Sequence, residues 1–443
     1  MFTKKQIRNL IVPLMVEQVL TSLMGTADTM MVSTAGSAAI SAVSLVDSIN
    51  VLIIYVFSAM ATGGAVICAQ YLGRKQHKEA NDTGKQLMLT VMGLSILIMA
   101  AIIVLRTPLL KLIFGRLETD VMENARVYLL ITALSYPFIA LYNAAAALFR
   151  VDGKSRLTMV VSTVANVVNV VLNAVLIFGF GMGAAGAALA TLVSRVVCAA
   201  ALIYFLRQPR QSIVVRDYRK FQPDMKRIRH IISVGIPNGI ENGMFQFGKL
   251  AIQSTISTLG TTAIAAQAMA SVLEGFISRP AEGIGLGMMT IVGQCIGADQ
   301  PDEARNYIRR LTRYAHAATI LTCMLMAVLV RPITIISGME PEAAGLTFRL
   351  ICVICLVKAI IWTGSFIPPY GLRAAGDLRF CMMVSTATMW LCRMVVATVL
   401  VRVLGFGPMG VWIGMFCDWG VRNVIFSLRF RSGRWATKKV IKT

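Results

Sequence analysis

Histidine is almost missing: the 443 residues hold three, His77, His230 and His316, far apart in the chain. A metal-binding His pair or a His-activated nucleophile has nothing to be built from, so no enzymatic function is expected. Charge is scarce as well, at 14% of residues, against about 25% in ordinary soluble domains. That excludes a cytosolic enzyme and a charge-rich disordered chain. Acidic residues number 21 against 43 basic ones, a net charge of +22. The basic residues sit in short clusters between apolar segments and are not interleaved with aromatics, so no nucleic-acid partner is expected. The nine cysteines all fall in apolar runs, where a thiol is a small hydrophobe. Cys352 and Cys355 have no second Cys or His pair nearby, and neither a disulfide framework nor a metal site is expected.

Apolar residues are what the chain has in excess, 56% of the total, with a mean hydropathy of +0.71. A membrane span needs about 20 mostly apolar residues. Twelve such segments can be drawn, near 9–33, 46–72, 86–105, 126–149, 157–180, 185–206, 231–258, 272–297, 312–332, 347–371, 381–403 and 408–429. In hydrocarbon these must be helices, because every backbone polar group needs an internal partner. The expected fold class is therefore an all-α polytopic membrane protein. The first apolar stretch is interrupted by Glu17, Gln18 and Asp28, which does not fit a cleaved signal peptide. Thirty Lys and Arg residues fall on the side that holds both termini and seven on the other, which orients the termini to the cytoplasm of a cell (inner) membrane.

Sliding the chain against itself by 224 residues aligns 13–80 with 237–304 without a gap, with 17 of the 68 positions identical. Pro13/Pro237, Glu17/Glu241, Gly36/Gly260, Gln70/Gln294 and Gly73/Gly297 are among the pairs. The later spans align as well, through Arg150/Arg373 and Gly181/Gly405. Six spans per half is an even number, so the halves are parallel repeats related by an axis along the membrane normal. The expected organisation is a six-helix lobe at 1–206, a basic connector at 207–230 and a second lobe with a basic tail at 231–443. Two similar bundles that rock about a site between them suit alternating-access transport.

A charge inside the bilayer is expensive and marks function by default. Asp28 lies in the first span with no basic residue within a helical turn. Removal from water penalises the charged form of a carboxyl, which makes Asp28 a candidate for reversible binding of a proton or sodium ion. Asn166, Asn169 and Asn173 share one face of the fifth span and read as a cation-binding network or as interhelical glue. Glu17 and Glu241 each follow a proline by four residues, which suggests bonds to backbone groups that the proline frees. Lys249, Glu274, Arg279 and Glu282 either pair among themselves or leave carboxylates for a cationic solute, with Met244, Phe245, Phe247, Phe276, Met288 and Met289 as an adaptable apolar surface.

Thr26-Ala27-Asp28-Thr29-Met30-Met31-Val32, the 36–42 segment, Gln70-Tyr71-Leu72-Gly73-Arg74 and the Gly-Ile-Pro sequence at Gly235 resemble the multidrug and toxic-compound extrusion (MATE) family over nearly the whole chain. The resemblance implies a multidrug efflux antiporter, with a V-shaped pair of six-helix lobes, that expels small organic cations in exchange for protons or sodium; the chain is expected to act as a monomer. It needs no cofactor beyond that coupling ion. The resemblance maps the coupling-cation site onto Asp28, Asn169, Asn173 and Thr191; Glu17, Glu241, Lys249, Glu274, Arg279 and Glu282 are, from their own place within the spans, the candidate substrate or cavity residues. Asn173 departs from the family pattern, which has Asp there, so Asp28 is the one obvious anion of the site. The competing expectation, from the same transporter superfamily, is a flippase for lipid-linked sugars, with Lys249, Arg279, Lys358 and Arg393 available for pyrophosphate.

Overall fold

The computed structural model describes residues 1–34, 36–115, 118–209, 211–215 and 222–441. The expected basic connector at 207–230 and the basic tail lie partly outside the described residues, at 210, 216–221 and 442–443. Regular structure is helical throughout, with no strand among the described residues. The first half runs α1 (Lys4–Ser33), α2 (Ser37–Gly73), α3 (His77–Phe114), α4 (Thr119–Leu134), α5 (Tyr136–Val151), α6 (Ser155–Asn173) and α7 (Gly183–Leu206). The second runs α8 (Met225–Ile256), α9 (Thr261–Gly297), α10 (Pro301–Ile336), α11 (Pro341–Val357), α12 (Thr363–Phe366), α13 (Pro368–Ala375), α14 (Leu378–Thr388), α15 (Val396–Arg402) and α16 (Gly407–Arg431).

Among the described residues eight helices are long and apolar enough to cross a membrane, or nine when α4 and α5 count as one bent span. α8, α9 and α16 carry the intramembrane charges that lower their hydropathy, and with them the spans number the twelve expected from sequence. Four expected spans are not single regular α-helices; the one near 157–180 ends in a π-helix at Ala174–Gly179. α4 and α5 meet at 43°, where Pro137 at the start of α5 has no N–H to continue the ladder. The span near 347–371 passes through a π-turn at Lys358–Trp362 and breaks before Pro368, and the next contains a π-helix at Met389–Val395. Such bulges concentrate at functional positions.

The duplication is written into the backbone. Gly36 and Gly260, matched at a shift of 224, cap α2 and α9 at φ 106° and 88°. A side chain at either would be strained there, which explains why glycine stands at both. Lys75 and Asp299, also 224 apart, are the two non-glycine residues of positive φ among the described residues, at 62° and 60°.

The described chain forms two compact units. One contains Arg8–Pro13 and Val19–Gly239; the other contains Met1–Ile7, Leu14–Gln18 and Ile240–Thr443. In the first, α2 packs on α3, α4 and α5, and α6 on α7. In the second, α9 packs on α10, α11 and α13, and α16 on α15. Lipid gives helices no hydrophobic reason to associate, so close approach through small residues carries the packing. A Cβ on Gly63 would stand 2.7 Å from the Gly235 nitrogen, and one on Gly283 would stand 2.7 Å from the Met15 Cα.

Candidate functional site

In the first unit α1 brings Asp28 against the polar face of α6. The Asn173 amide donates to Asp28 Oδ1 at 2.8 Å. In the orientation that matches donors to acceptors, the Asn169 amide nitrogen lies 2.7 and 2.9 Å from the two Asp28 oxygens, and its oxygen accepts the Thr191 backbone N–H at 3.3 Å. Asn169 and Asn173 are 7% and 1% exposed, which places these two amides inside the unit and not against lipid, while Asn166 is half-buried. Asn173 Oδ1 is buried with no hydrogen-bond donor. Thr191, on α7, meets Asn169 through its backbone N–H.

A second carboxylate lies in the same unit. Asp47 on α2 accepts from Asn50 Nδ2 and from the Tyr128 hydroxyl, both at 3.1 Å. Asn50 Oδ1 in turn accepts the Tyr136 hydroxyl at 2.8 Å. Arg195 of α7 donates to Ser135 Oγ at 2.7 Å, at the α4–α5 bend, and its charge faces Asp47. Sequence reasoning assigns no role to Asp47, Arg195, Asn50, Tyr128 or Tyr136. One signal was available: Asn50 is the repeat partner of Glu274, a position that is polar in both halves.

The second unit has a different character. Lys358, fully buried at the π-turn, pairs with Glu274 and donates to Ser278 Oγ at 2.5 Å, with its ammonium 4.6 Å from the Trp362 ring centre. Arg279 pairs with Glu282 at 2.9 Å. Asp418 on α16 is gripped by Arg393 and Arg422, each at 2.9 Å. Glu241 pairs with Arg373 at 2.5 Å, so it serves a guanidinium where a proline-freed backbone group is the sequence expectation. A carboxylate gains more from a charged guanidinium donor than from a neutral amide. Glu17 is buried at 5% exposure and belongs to the same unit.

Of the four charges at 249, 274, 279 and 282, only Arg279 and Glu282 pair with each other. Lys249 has no ion-pair partner among the described residues and lies 5.0 Å from the Phe245 ring centre, which Arg393 also faces at 5.1 Å. Met288 and Met289 are core residues, 0% and 9% exposed, and line no accessible surface. The cysteines are all free, and no cluster of three or more His, Cys, Asp or Glu able to hold a metal occurs among the described residues.

A family model described as MatE matches residues 13–175 and again 237–399. The two matches begin at Pro13 and Pro237, the displacement found within the sequence itself. Over 431 residues the chain is 28% identical to the uncharacterized transporter YisQ of Bacillus subtilis, covering 96% of this chain and 94% of that one. It is 27% identical over 445 residues to the probable multidrug resistance protein NorM of Thermotoga maritima, covering 99% and 94%. A crystal structure of a MATE protein in complex with MaL6 has the same fold, with a TM-score of 0.90 at 18% identity and 97% coverage of both chains. So does a MOP superfamily transporter from Pyrococcus furiosus, whose binding pocket is described as reversed in polarity, suggesting a different function; its TM-score is 0.90 at 19% identity, covering 99% and 97%. The double match, at the two repeats and over most of the chain, makes this a multi-pass membrane transporter of the MatE family.

Proposed function

We propose that this chain is a secondary active antiporter that exports small organic cations in exchange for protons or sodium, with both termini in the cytoplasm and Asp28 as the coupling-ion site. The observation that carries the reading is the pairing of Asp28 with Asn173 and Asn169, beside a buried Asn173 oxygen that has no donor. A charged Asp28 is held by the two amide donors. When it takes a proton, or sodium enters, the buried acceptor gains the partner it lacks, and the amides of α6 rearrange about a neutralised carboxyl. An ion drives a conformational change only through different affinity for the two states, so ion and solute must favour different states or compete. NorM of Thermotoga maritima, a probable multidrug resistance protein, supports a multidrug substrate range.

A second reading, a flippase for lipid-linked sugars, is favoured by one observation. The spans of the second unit hold Lys249, Arg279, Lys358, Arg373, Arg393 and Arg422 against Glu17, Glu241, Glu274, Glu282 and Asp418, a surplus of one cation suited to an anionic group. The reversed-polarity pocket described for the Pyrococcus furiosus relative gives that reading a precedent of kind.

The deciding experiment is transport of a fluorescent organic cation by the purified protein in liposomes, under an imposed proton or sodium gradient, with Asp28→Asn in parallel. Transport driven by one gradient and lost in the variant is the expected result and names the ion. Normal gradient-driven efflux by Asp28→Asn would remove Asp28 from the mechanism. Absence of cation transport by the folded wild-type protein, with transbilayer movement of an anionic lipid, would select the second reading.

A further inference from the structure

A cavity of about 670 Å³ opens in the first unit between the first turns of α1 and α6, away from Asp28, and three cations line it: Arg8, Lys154 and Arg156. Its floor is fixed by a local necessity. Pro13 has no N–H to give the Asn9 carbonyl one turn earlier. The Ser155 hydroxyl, fully buried, lies 3.1 Å from that oxygen and 2.6 Å from the Leu10 oxygen, tying the two helices at this level.

The cations are not equivalent. Lys154 is held by Asp152 at 2.7 Å and by Gln211 at 2.5 Å. Arg8 and Arg156 are exposed and pair with no carboxylate among the described residues. Each is followed four residues later, on the same helical face, by an exposed valine of the cavity wall: Val12 at 48% and Val160 at 46%. Two helices thus repeat one profile, a guanidinium at the membrane edge and an apolar side chain one turn deeper. A water-soluble anion has use for the first half of that profile only. An anionic phospholipid uses both, with phosphate oxygens taking the guanidinium donors and acyl chains covering the valines.

We propose that this cavity binds the headgroup phosphate of an anionic phospholipid, held by Arg8 and Arg156, with its chains against Val12 and Val160. The test is titration of the delipidated full-length protein in detergent with phosphatidylglycerol, read by native mass spectrometry, with phosphatidylcholine and glycerol 3-phosphate as parallel arms. Saturable phosphatidylglycerol adducts are expected, with neither other ligand binding nor competing at equal concentration. Arg8→Gln and Arg156→Gln each weaken binding roughly fivefold and together about 25-fold. Lys78→Gln, an exposed charge at the start of α3, leaves it unchanged. The double variant Arg8→Lys/Arg156→Lys keeps the charge and most of the binding, which separates loss of the site from loss of the fold. Undiminished binding by the double glutamine variant, or an equal loss in Lys78→Gln, overturns the proposal. So does glycerol 3-phosphate binding as tightly as the lipid, which makes the cavity a site for soluble phosphates.

Discussion

Asn173 and Asp28, 145 residues apart, meet at 2.8 Å with the amide donating to the carboxylate. Where the MATE pattern has a second acid, this chain places a donor. Asn173→Asp therefore turns a donor–acceptor contact into a pair of carboxylates. Unit charges about 4 Å apart interact by about 4 kcal/mol at an effective dielectric constant of 20, enough to improve sodium affinity at least tenfold. The expected outcome is a new or stronger sodium dependence of efflux in proteoliposomes. An unchanged ion dependence would show that position 173 does not face the coupling ion.

The Lys358–Glu274 pair is buried and anchored by Ser278. Removing one partner strands the other charge, at a cost of about 3 to 5 kcal/mol. Lys358→Met and Glu274→Gln are each expected to lower the thermal stability of the detergent-solubilised protein strongly, and the double variant to recover most of the loss. Additive losses in the double variant would show that the two charges are held by other partners.

Gly63 tests the packing. A methyl group there meets the Gly235 backbone at 2.7 Å, and backbone yields less readily than a side chain, so Gly63→Ala is expected to cost about 1 to 3 kcal/mol. Gly93, in the interior of α3, has open space where a Cβ would stand. Gly93→Ala is expected to be neutral or stabilising by up to about 1 kcal/mol from helix propensity. Thermal melts of the two variants side by side check the contrast.

The start of α8 carries a pH signature outside the membrane. Asp224 Oδ1 accepts the Arg227 and Lys226 backbone N–H groups at 3.3 and 3.0 Å, and Oδ2 accepts from the Arg227 guanidinium at 3.0 Å. The Arg227 backbone N–H, with the Arg227 side chain and Lys226 N–H, holds this carboxyl below the usual carboxylate range. A depressed pKa contributes stability above the unfolded value and loses it as pH falls through the folded one. Asp224→Ala is therefore expected to melt below wild type at neutral pH, with the gap closing as the pH drops below about 4. A gap that persists in acid would mean the cap works without its charge.

The spans and the duplication were legible in the sequence because the bilayer leaves a segment few options. Twenty apolar residues without water must form a helix. Gly36 and Gly260 were visible as a matched pair for the same kind of reason, a backbone angle that glycine adopts without strain. Asp28 stood out because an isolated acid in a span is costly wherever it points. The periodicity of Asn169 and Asn173 gave their shared face on α6 but not its target on α1.

Partnership between distant charges was not legible. Glu274 sits five residues from Arg279 yet pairs with Lys358, and Lys249 ends with an aromatic ring where a carboxylate was available in sequence. Asp47 on α2 meets Tyr128 on α4 across 81 residues of sequence. Local sequence determined which residues are helical, which are in the membrane and which backbone angles recur. Only the packing of helices against one another decided which charges are neutralised and which remain, because ion pairs form between groups that tertiary structure brings within a few ångströms, and spacing along the chain carries no record of that distance.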